Sequence, residues 1–173
     1  FDRTDSHVRY NLTDLHTHSF CSDGLRTPAQ AVEEGHEAHL QALADYYEVV
    51  SDGRLKIEFT LLPEATDAAY ELPQSMLSYG NGRSTDEIGE KWLQFARHAI
   101  AEADGDASFS EYDSFLFFHP GQGQETGEIN DIRSVFLDST DLRTFGGGEP
   151  LTADNGSFRL PNIWIVPETT DIL

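Results

Sequence analysis

The feature that most constrains the fold is the unbroken apolar run SFLFF at residues 114–118. The run is too short for a helix, and Asp113 on one side and Pro120 and Gly121 on the other are turn-forming residues. Continuous apolar runs of this length are typical of strands that are buried on both faces. The run therefore predicts a central strand within a sheet.

Two helices are predicted upstream of this strand. Thr27 and Pro28 provide an N-cap and a proline at the first helical position, and the helical spacing continues to a turn at residues 51–53. Ser84 and Glu87 form a capping box for the second helix, whose single apolar stripe predicts packing against the sheet. The first helix carries Ala29, Val32, His36, Leu40, Leu43, Tyr47 and Val50, and the second carries Ile88, Trp92, Phe95, Ala96, Ala99, Ile100 and Ala103.

Four further segments have the patterns of strands. Residues 55–61 alternate apolar and polar side chains up to Pro63, which predicts a strand with one buried and one exposed face. A shorter alternation at residues 8–12 and the apolar segments at residues 132–137 and 163–166 complete the set.

The segments between these elements are rich in turn-forming residues. Residues 63–83 predict an ordered loop, in which YGNG at residues 79–82 requires positive φ angles. A glycine loop at residues 146–148 and a turn at residues 154–156 separate the last two strands.

The alternation of helices and strands places the fold in the α/β or α+β class. We expect a mixed sheet backed by the two main helices, which form one layer against it. At 173 residues the chain is a single domain, or an incomplete one, because no closing element follows the last predicted strand. Phe1 in place of Met adds to the expectation that the chain is a fragment.

Charge narrows the possible partners. The chain has 11 Lys and Arg against 31 Asp and Glu, which gives a net charge of -20 at pH 7. This charge repels phosphate backbones and anionic lipid surfaces, so we expect no nucleic-acid and no membrane partner. Hydration in salt, cation binding and solubility are alternative causes of the charge excess. Because Cys21 is the single cysteine, no intrachain disulfide forms and the fold depends on its core.

His16 and His18 are one residue apart, which in an extended segment places both imidazoles on one face, as a two-ligand metal site requires. The surrounding residues 14–24, DLHTHSFCSDG, resemble the first motif of the PHP phosphoesterases, which are metal-dependent enzymes that hydrolyse phosphate esters. The resemblance extends to Leu43 and then fails, because DYYE at residues 45–48 replaces the next metal-binding run. A chance surface pair is the alternative interpretation.

Oxygen-bearing side chains also alternate between the second helix and the central strand. Calcium loops place oxygen ligands at such positions, so calcium is a possible cofactor. The segment has no glycine at the sharp-turn position and no closing Glu, and a polar turn is the alternative. The residues are Asp104, Asp106, Ser108, Ser110 and Asp113.

The Gly-rich loop after the central strand, HPGQGQE at residues 119–125, carries His119 and Glu125. Loops at strand ends often hold functional residues. With three other passages, this loop is similar to secreted zinc metallopeptidases of the immune-inhibitor-A type, in an order and spacing that hold over residues 40–137. The other passages are DYYEVVSDGRL at residues 45–55, YGNG at residues 79–82 and FSEYDSFLFFH at residues 109–119, with DIRS following at residues 131–134.

This resemblance implies a zincin-like amino-terminal part of a catalytic domain, an extracellular location, and a protein or peptide substrate for the intact protein. It also implies a helix with the sequence His-Glu-x-x-His downstream of the strands, in which the two imidazoles bind zinc and the Glu activates the metal-bound water. Residues 1–173 contain no such sequence, since His36 and His39 are three residues apart. We therefore expect no catalytic residue and no cofactor in this chain, and zinc only where the intact protein continues into a zinc helix.

Two further departures concern the matched region itself. The calcium-rich insert of the family is missing after Asp113, and Pro120 replaces the alanine that follows the histidine. Without its zinc helix, the domain is expected to pair with the missing carboxy-terminal half or to associate with itself.

His119 and Glu125 have three interpretations: a structural role in the loop, a place in the substrate cleft of the complete enzyme, or metal ligation. For the chain as a whole, two alternatives to the metallopeptidase interpretation stay open. One is a PHP-like phosphoesterase that uses His16 and His18, and the other is a non-catalytic acidic binding or structural module.

Overall fold

The computed structural model describes residues 6–14, 28–63 and 69–169. The strands of the chain are β1 (Ser6–Asp14), β2 (Leu55–Leu62), β3 (Ser114–Gln122), β4 (Val135–Asp138), β5 (Thr152–Ala153), β6 (Phe158–Arg159) and β7 (Asn162–Thr169). The α-helices are α1 (Pro28–Val50), α2 (Met76–Gly80), α3 (Thr85–Ala103) and α4 (Ser139–Phe145). Two short 3₁₀ turns, Phe109–Glu111 and Gln124–Thr126, precede and follow β3.

The main sheet has five strands in the order β2-β1-β3-β7-β4, and β5 and β6 form a separate hairpin. β1 pairs in parallel with β2 and β3, and β3 pairs in parallel with β7. β4 pairs antiparallel with β7 and forms one edge of the sheet. β3 lies in the middle of the order, where Leu116 pairs with Leu12 on one side and with Trp164 on the other. The predicted central strand and the mixed sheet are both confirmed.

Helix α3 covers one face of the sheet. Its start is the predicted capping box, in which the Ser84 side chain accepts a hydrogen bond from the Glu87 amide and the Glu87 side chain accepts one from the Ser84 amide. The apolar stripe packs on β3, where the ring of Phe95 meets Phe117 edge-on at a centroid distance of 6.4 Å. The buried core on this side includes Leu93, Phe95, Ala96, Ala99, Phe109, Phe115, Phe117, Leu137, Ile163 and Ile165.

Helix α1 packs on the opposite face. Phe115 and Phe117 of β3 are buried in the core beneath α3, whereas Leu116 lines a groove together with Leu40 and Leu43 of α1. Because successive residues of a strand point to opposite faces, α1 and α3 lie on opposite sides of the sheet. The prediction of a single helical layer is wrong, and the sheet has helices on both faces.

The path of the chain across the sheet explains this difference. From β1 the chain passes through α1 to β2 at the edge, and from β2 it returns through α3 to β3 on the other side of β1. Crossovers between parallel strands are almost always right-handed, so a reversal of direction moves the connecting helix to the other face. Periodicity in the sequence reveals the helices but not the order of the strands, and the order decides the face.

Two α-helices and a hairpin were not predicted, and all of them lie on the α3 side. α2 occupies part of the stretch predicted as a loop, α4 begins at a second capping box between Asp138 and Asp141, and the β5–β6 hairpin adds Ala153 to the core. The turn predicted within the hairpin is confirmed, with positive φ angles at Asp154, Asn155 and Gly156. None of the helices in the described ranges is long and apolar enough to cross a bilayer.

Candidate functional site

Of the two histidine-based candidates, the structure describes only the loop with His119 and Glu125. His16 and His18 lie in residues 15–27, outside the described ranges. The structure therefore gives no geometry for the site that the PHP-like interpretation requires.

The candidate loop begins inside β3 rather than after it. β3 continues beyond the predicted end at Phe118, and its pairing with β7 shifts register between His119 and Gln122. Gly121 has a φ of 82° within this irregularity, a conformation that favours glycine. Bulges of this kind bend a strand and re-aim its side chains, and they are frequent next to functional sites.

His119 is buried under this bend, with 1% of its surface exposed. Its ring meets the ring of Phe95 edge-on at a centroid distance of 6.4 Å, and Nδ1 lies 3.2 Å from the carbonyl oxygen of Pro120. Within the described part of the chain, Nε2 has no hydrogen-bond partner. Burial lowers the pKa of His119 from 6.5, against the opposing effects of the Pro120 carbonyl and nearby carboxylates. His119 is therefore neutral at pH 7, and it is buried against Phe95 of α3 rather than exposed at the surface.

Glu125 is exposed and ties the loop to the start of β4. Its Oε1 atom accepts a hydrogen bond of 2.6 Å from the amide of Ser134, the residue before β4. Partial burial acts to raise the pKa of Glu125, but hydrogen bonds from its own amide and from Ser134 lower it below its ordinary value. The carboxylate lies against Gly123, where a Cβ atom would collide with Oε2. Glu125 is thus an ionised group in a fixed position.

The segment YGNG at residues 79–82, which lies just before α3, contacts the chain that follows the candidate loop. The carbonyl oxygen of Asn130 occupies the position that a Cβ atom of Gly80 would need, and the Arg83 guanidinium donates a hydrogen bond to the Asn130 side chain. Tyr79, beside it, is buried and its hydroxyl lies 2.7 Å from Nδ1 of His98. The YGNG segment is therefore a packing contact for the loop that follows His119.

This contact corrects the reason given for the glycines of YGNG. Gly80 and Gly82 do not have positive φ angles. Gly80 is required by the close approach of Asn130, and Gly82 by the close approach of the Ile88 backbone. The predicted backbone conformation is wrong, because a glycine that makes room for another chain segment cannot be distinguished by local sequence from one that forms a turn.

An open groove of about 550 Å³ lies between the loop and the start of β4. One wall is anchored by hydrogen bonds from Gln124 Nε2 to the Ile129 carbonyl oxygen and from Arg133 Nε to Gln124 Oε1. Its lining residues are Gln124, Glu125, Gly127, Ile129, Arg133 and Ser134. Ser134, the last of these residues, directly precedes the edge strand β4.

Among the residues that the structure describes, only α1 packs on the second face of the sheet, and it covers that face in part. A groove of about 520 Å³ separates α1 from the sheet, lined by Leu40, Leu43, Tyr47, Leu55, Ile57, Phe59, Leu116, Trp164 and Val166. Within this groove Trp164 is 40% exposed, and Phe136, which contacts Trp164 from β4, is 45% exposed. Sequence reasoning missed this surface, because each residue falls within a strand or helix pattern whose apolar side chains were expected to be buried.

The oxygen ligands proposed for calcium have other partners. Both oxygens of Asp104 accept hydrogen bonds from the turn of the β5–β6 hairpin, one of them 2.9 Å from the Asn155 amide. Asp106 accepts a hydrogen bond of 2.6 Å from the Tyr70 hydroxyl, and Ser108 and Ser110 bond to each other at 3.1 Å. Across the described ranges, no group of three or more His, Cys, Asp or Glu side chains could hold a metal ion.

Comparison with known proteins adds no relative to this description. No protein-family model, no curated protein and no solved structure matches the chain.

Proposed function

We propose that this chain is the amino-terminal portion of a secreted zinc metallopeptidase-like protein, a zincin-like scaffold without a complete catalytic site of its own. In this proposal the scaffold binds an extended peptide along β4 and receives a zinc helix on the α1 side of the sheet. The observation that carries the proposal is the part of that face, next to the edge strand, that the described elements leave half-exposed at Trp164 and Phe136.

The size of the uncovered area fits one helix. Five strands about 4.8 Å apart span roughly 20 Å, whereas a helix is about 10 Å wide. α1 covers the side of the sheet near β2, and the apolar side chains of β3, β7 and β4 beyond it stay half-exposed. A second helix of ordinary width beside α1 would cover Leu116, Trp164 and Val166. Monomeric proteins rarely leave an apolar surface of this kind without a partner.

The parallel pairing of β3 and β7 supports the same arrangement. Carboxyl ends of parallel strands lie at the same edge of a sheet, and His119 of β3 pairs with Pro167 of β7. The resemblance places the zinc helix downstream of β7. Such a helix would therefore start at the edge of the sheet where β3 also ends and where the Glu125 loop begins. The zinc would then lie near the peptide that β4 holds.

Strand β4 provides the surface for the peptide. It is at the edge of the sheet, and one side of its backbone has no neighbouring strand within the described ranges. Exposed edges bind extended peptides by adding a strand, with main-chain hydrogen bonds for affinity and alternate side chains for specificity. The hydrogen bond between Glu125 and Ser134 sets the position at which this edge begins.

The test compares the chain of 173 residues with the intact protein. We expect the coding sequence after Leu173 to contain His-Glu-x-x-His, and the intact, zinc-loaded protein to cleave casein in a reaction that a chelator stops. The chain alone should be inert, as should the intact protein in which the motif Glu is replaced by Gln. A zinc-loaded intact protein with no turnover, or with turnover that a chelator leaves unchanged, refutes the proposal.

The same samples separate the two alternatives. Bound metal that disappears in both His16→Ala and His18→Ala, with phosphate-ester hydrolysis, would replace the proposal by a PHP-like phosphoesterase. Intact protein that is zinc-free and inert and unfolds in one cooperative transition would replace it by a non-catalytic acidic module.

A further inference from the structure

The turn between β5 and β6 carries Asn155, Gly156 and Ser157, which fit the acceptor pattern for N-glycosylation, Asn-x-Ser/Thr. We propose that Asn155 is an N-glycosylation site, whose side-chain amide accepts an oligosaccharide from a lipid-linked diphosphate donor. The inference rests on the proposed function in one respect, the secretion of the protein, because this modification belongs to surface loops of secreted proteins.

The turn presents the acceptor side chain to solvent. Asn155, Gly156 and Ser157 are all exposed at the tip of the hairpin. Within the described ranges the side chain of Asn155 makes no hydrogen bond, since its recorded bond is from the backbone amide. N-linked sugars are bulky and hydrated, and exposed loop tips are the places where a fold tolerates such additions. The Nδ2 atom of Asn155 is therefore accessible to a transferase.

The backbone of the turn is anchored to the rest of the fold, so a sugar on its outer side leaves the packing intact. Asp104 accepts hydrogen bonds from the amides of Asp154 and Asn155, the second at 2.9 Å. Asp154 in turn accepts bonds of 2.8 and 2.9 Å from the amides of Phe109 and Ser110. Asn155 has a φ of 55°, a left-handed conformation that asparagine adopts more readily than most residues.

A second copy of the acceptor pattern, Asn11-Leu12-Thr13, provides a contrast within the same chain. The sequence pattern does not distinguish the two sites. Asn11 lies inside β1, where its backbone pairs with Thr60 of β2 and with Phe115 of β3. A transferase has to bind the chain on both sides of the acceptor, and a strand between two hydrogen-bonded neighbours does not offer that access. The fold therefore selects Asn155 over Asn11.

The reaction is a glycosyl transfer to nitrogen. Nδ2 of Asn155 forms a bond to C1 of the first sugar, and the bond from C1 to the diphosphate oxygen breaks. The lipid diphosphate leaves, and Nδ2 gives up one of its two protons. No oxidation or reduction takes place. The Ser157 hydroxyl, which the acceptor pattern requires, donates a hydrogen bond of 2.7 Å to the Asp154 carbonyl oxygen and so stays in the same turn as the acceptor.

The experiment incubates the folded full chain with a lipid-linked oligosaccharide and a purified single-subunit oligosaccharyltransferase that accepts both Asn-x-Ser and Asn-x-Thr. Intact mass and peptide mapping report the product. We expect a single glycan, on Asn155. Asn155→Gln and Ser157→Ala should each abolish the mass increase, because each removes one part of the acceptor pattern. Asn11→Gln is the matched control and should retain it. Circular dichroism checks that the variants are folded.

Free peptides separate the effect of the fold from the effect of the sequence. Peptides of residues 8–14 and 152–160 each contain one acceptor pattern without the sheet. We expect the enzyme to modify both peptides, but only the second site in the folded chain. A peptide 152–160 that is not modified overturns the inference, as does a folded chain that is modified at Asn11 and not at Asn155, or at neither site.

The protein recovered from the medium of its producing cells should carry the same modification, and an unmodified Asn155 there overturns the inference. These outcomes are independent of zinc. An intact protein with chelator-sensitive cleavage and an unmodified Asn155 supports the proposed function and refutes the inference. A glycan on Asn155 of an intact protein without cleavage supports the inference and refutes the peptidase.

Discussion

The two faces of the main sheet are built from the same strands, and yet they differ in how completely they are covered. On the α3 side, Phe115, Phe117, Ile163 and Ile165 are fully buried beneath α3, α4 and the β5–β6 hairpin. On the other side, Leu116 and Val166 are half-buried and Trp164 and Phe136 are half-exposed. Alternate residues of β3 and β7 thus differ in how deeply they are buried, although they are equally apolar.

The difference follows from the connections rather than from composition. Between β2 and β7, the described helices α2, α3 and α4 and the β5–β6 hairpin pack on the α3 side, whereas α1 is the one described helix on the other side. One helix cannot cover five strands. The α3 side is therefore the part that holds the fold together, and the α1 side is the part that the described elements leave half-exposed.

The largest expected effect tests this contrast directly. Phe117→Ala leaves a cavity in the α3-side core and should lower the free energy of unfolding by about 3–5 kcal/mol. Trp164→Ala removes a larger but half-exposed side chain and should cost only about 1–2 kcal/mol. Urea unfolding followed by circular dichroism measures both, with equal m-values as the check on two-state behaviour. Similar losses for the two variants would show that the α1 side is as well packed as the α3 side.

An intermediate effect is expected where the α3-side packing extends into the loops. Gly80→Ala would place a methyl group on the Asn130 carbonyl, and we expect a loss of about 1–3 kcal/mol in spite of the better helix propensity of alanine. Gly105→Ala is the matched control, because a Cβ atom there meets nothing within 4 Å. Thermal unfolding compares the two. A neutral Gly80→Ala would mean that the loop carrying Asn130 moves freely and does not support the site.

The smallest effect concerns pH. The folded-state pKa of His119 lies below its unfolded value of 6.5, so the unfolded chain binds more protons as the pH falls. The contribution of neutral His119 to the free energy of unfolding is therefore fully present above pH 6.5. This contribution is lost as the pH decreases toward the folded-state pKa of His119. Relative to His119→Gln, the wild type should lose up to about 1.4 kcal/mol per pH unit in this window.

Unfolding free energies from pH 8 to pH 5 check this expectation. The difference between the wild type and His119→Gln at pH 8, where both side chains are neutral, sets the baseline. The comparison also removes the general effect of acid on a chain with a net charge of -20. A constant difference across the range would show that His119 is not buried in a neutral form.

Much of the secondary structure could be predicted from local patterns. Three local patterns each predict an element that forms as expected. They are the capping box at Ser84, the helical stripe that ends near Val50 and the apolar run around Phe117. Shorter elements such as α2 and the β5–β6 hairpin could not be predicted. Few residues define them, and their stability comes from packing onto α3 rather than from their own sequence.

The candidate site was predictable only in part. A histidine and a glutamate in a Gly-rich loop after a buried strand pointed to residues 119–125, but not to the partners of these side chains. Local sequence did not identify Ser134, Asn130 or Phe136 as residues of interest. Each of them contacts a segment that is distant in sequence. The depth of His119 was also invisible, since the same histidine at a simple strand end would be exposed.

The order of apolar and polar residues by itself determined which of the longer segments form helices and strands, and that β3 is a central strand. These properties depend on neighbours within one or two turns of the chain. Only the tertiary structure decided that α1 and α3 lie on opposite faces, that β4 is an edge, and that Trp164 and Phe136 stay exposed. Those properties depend on the order of strands in the sheet, which arises from the handedness of the crossovers and from which surfaces find a partner to bury them.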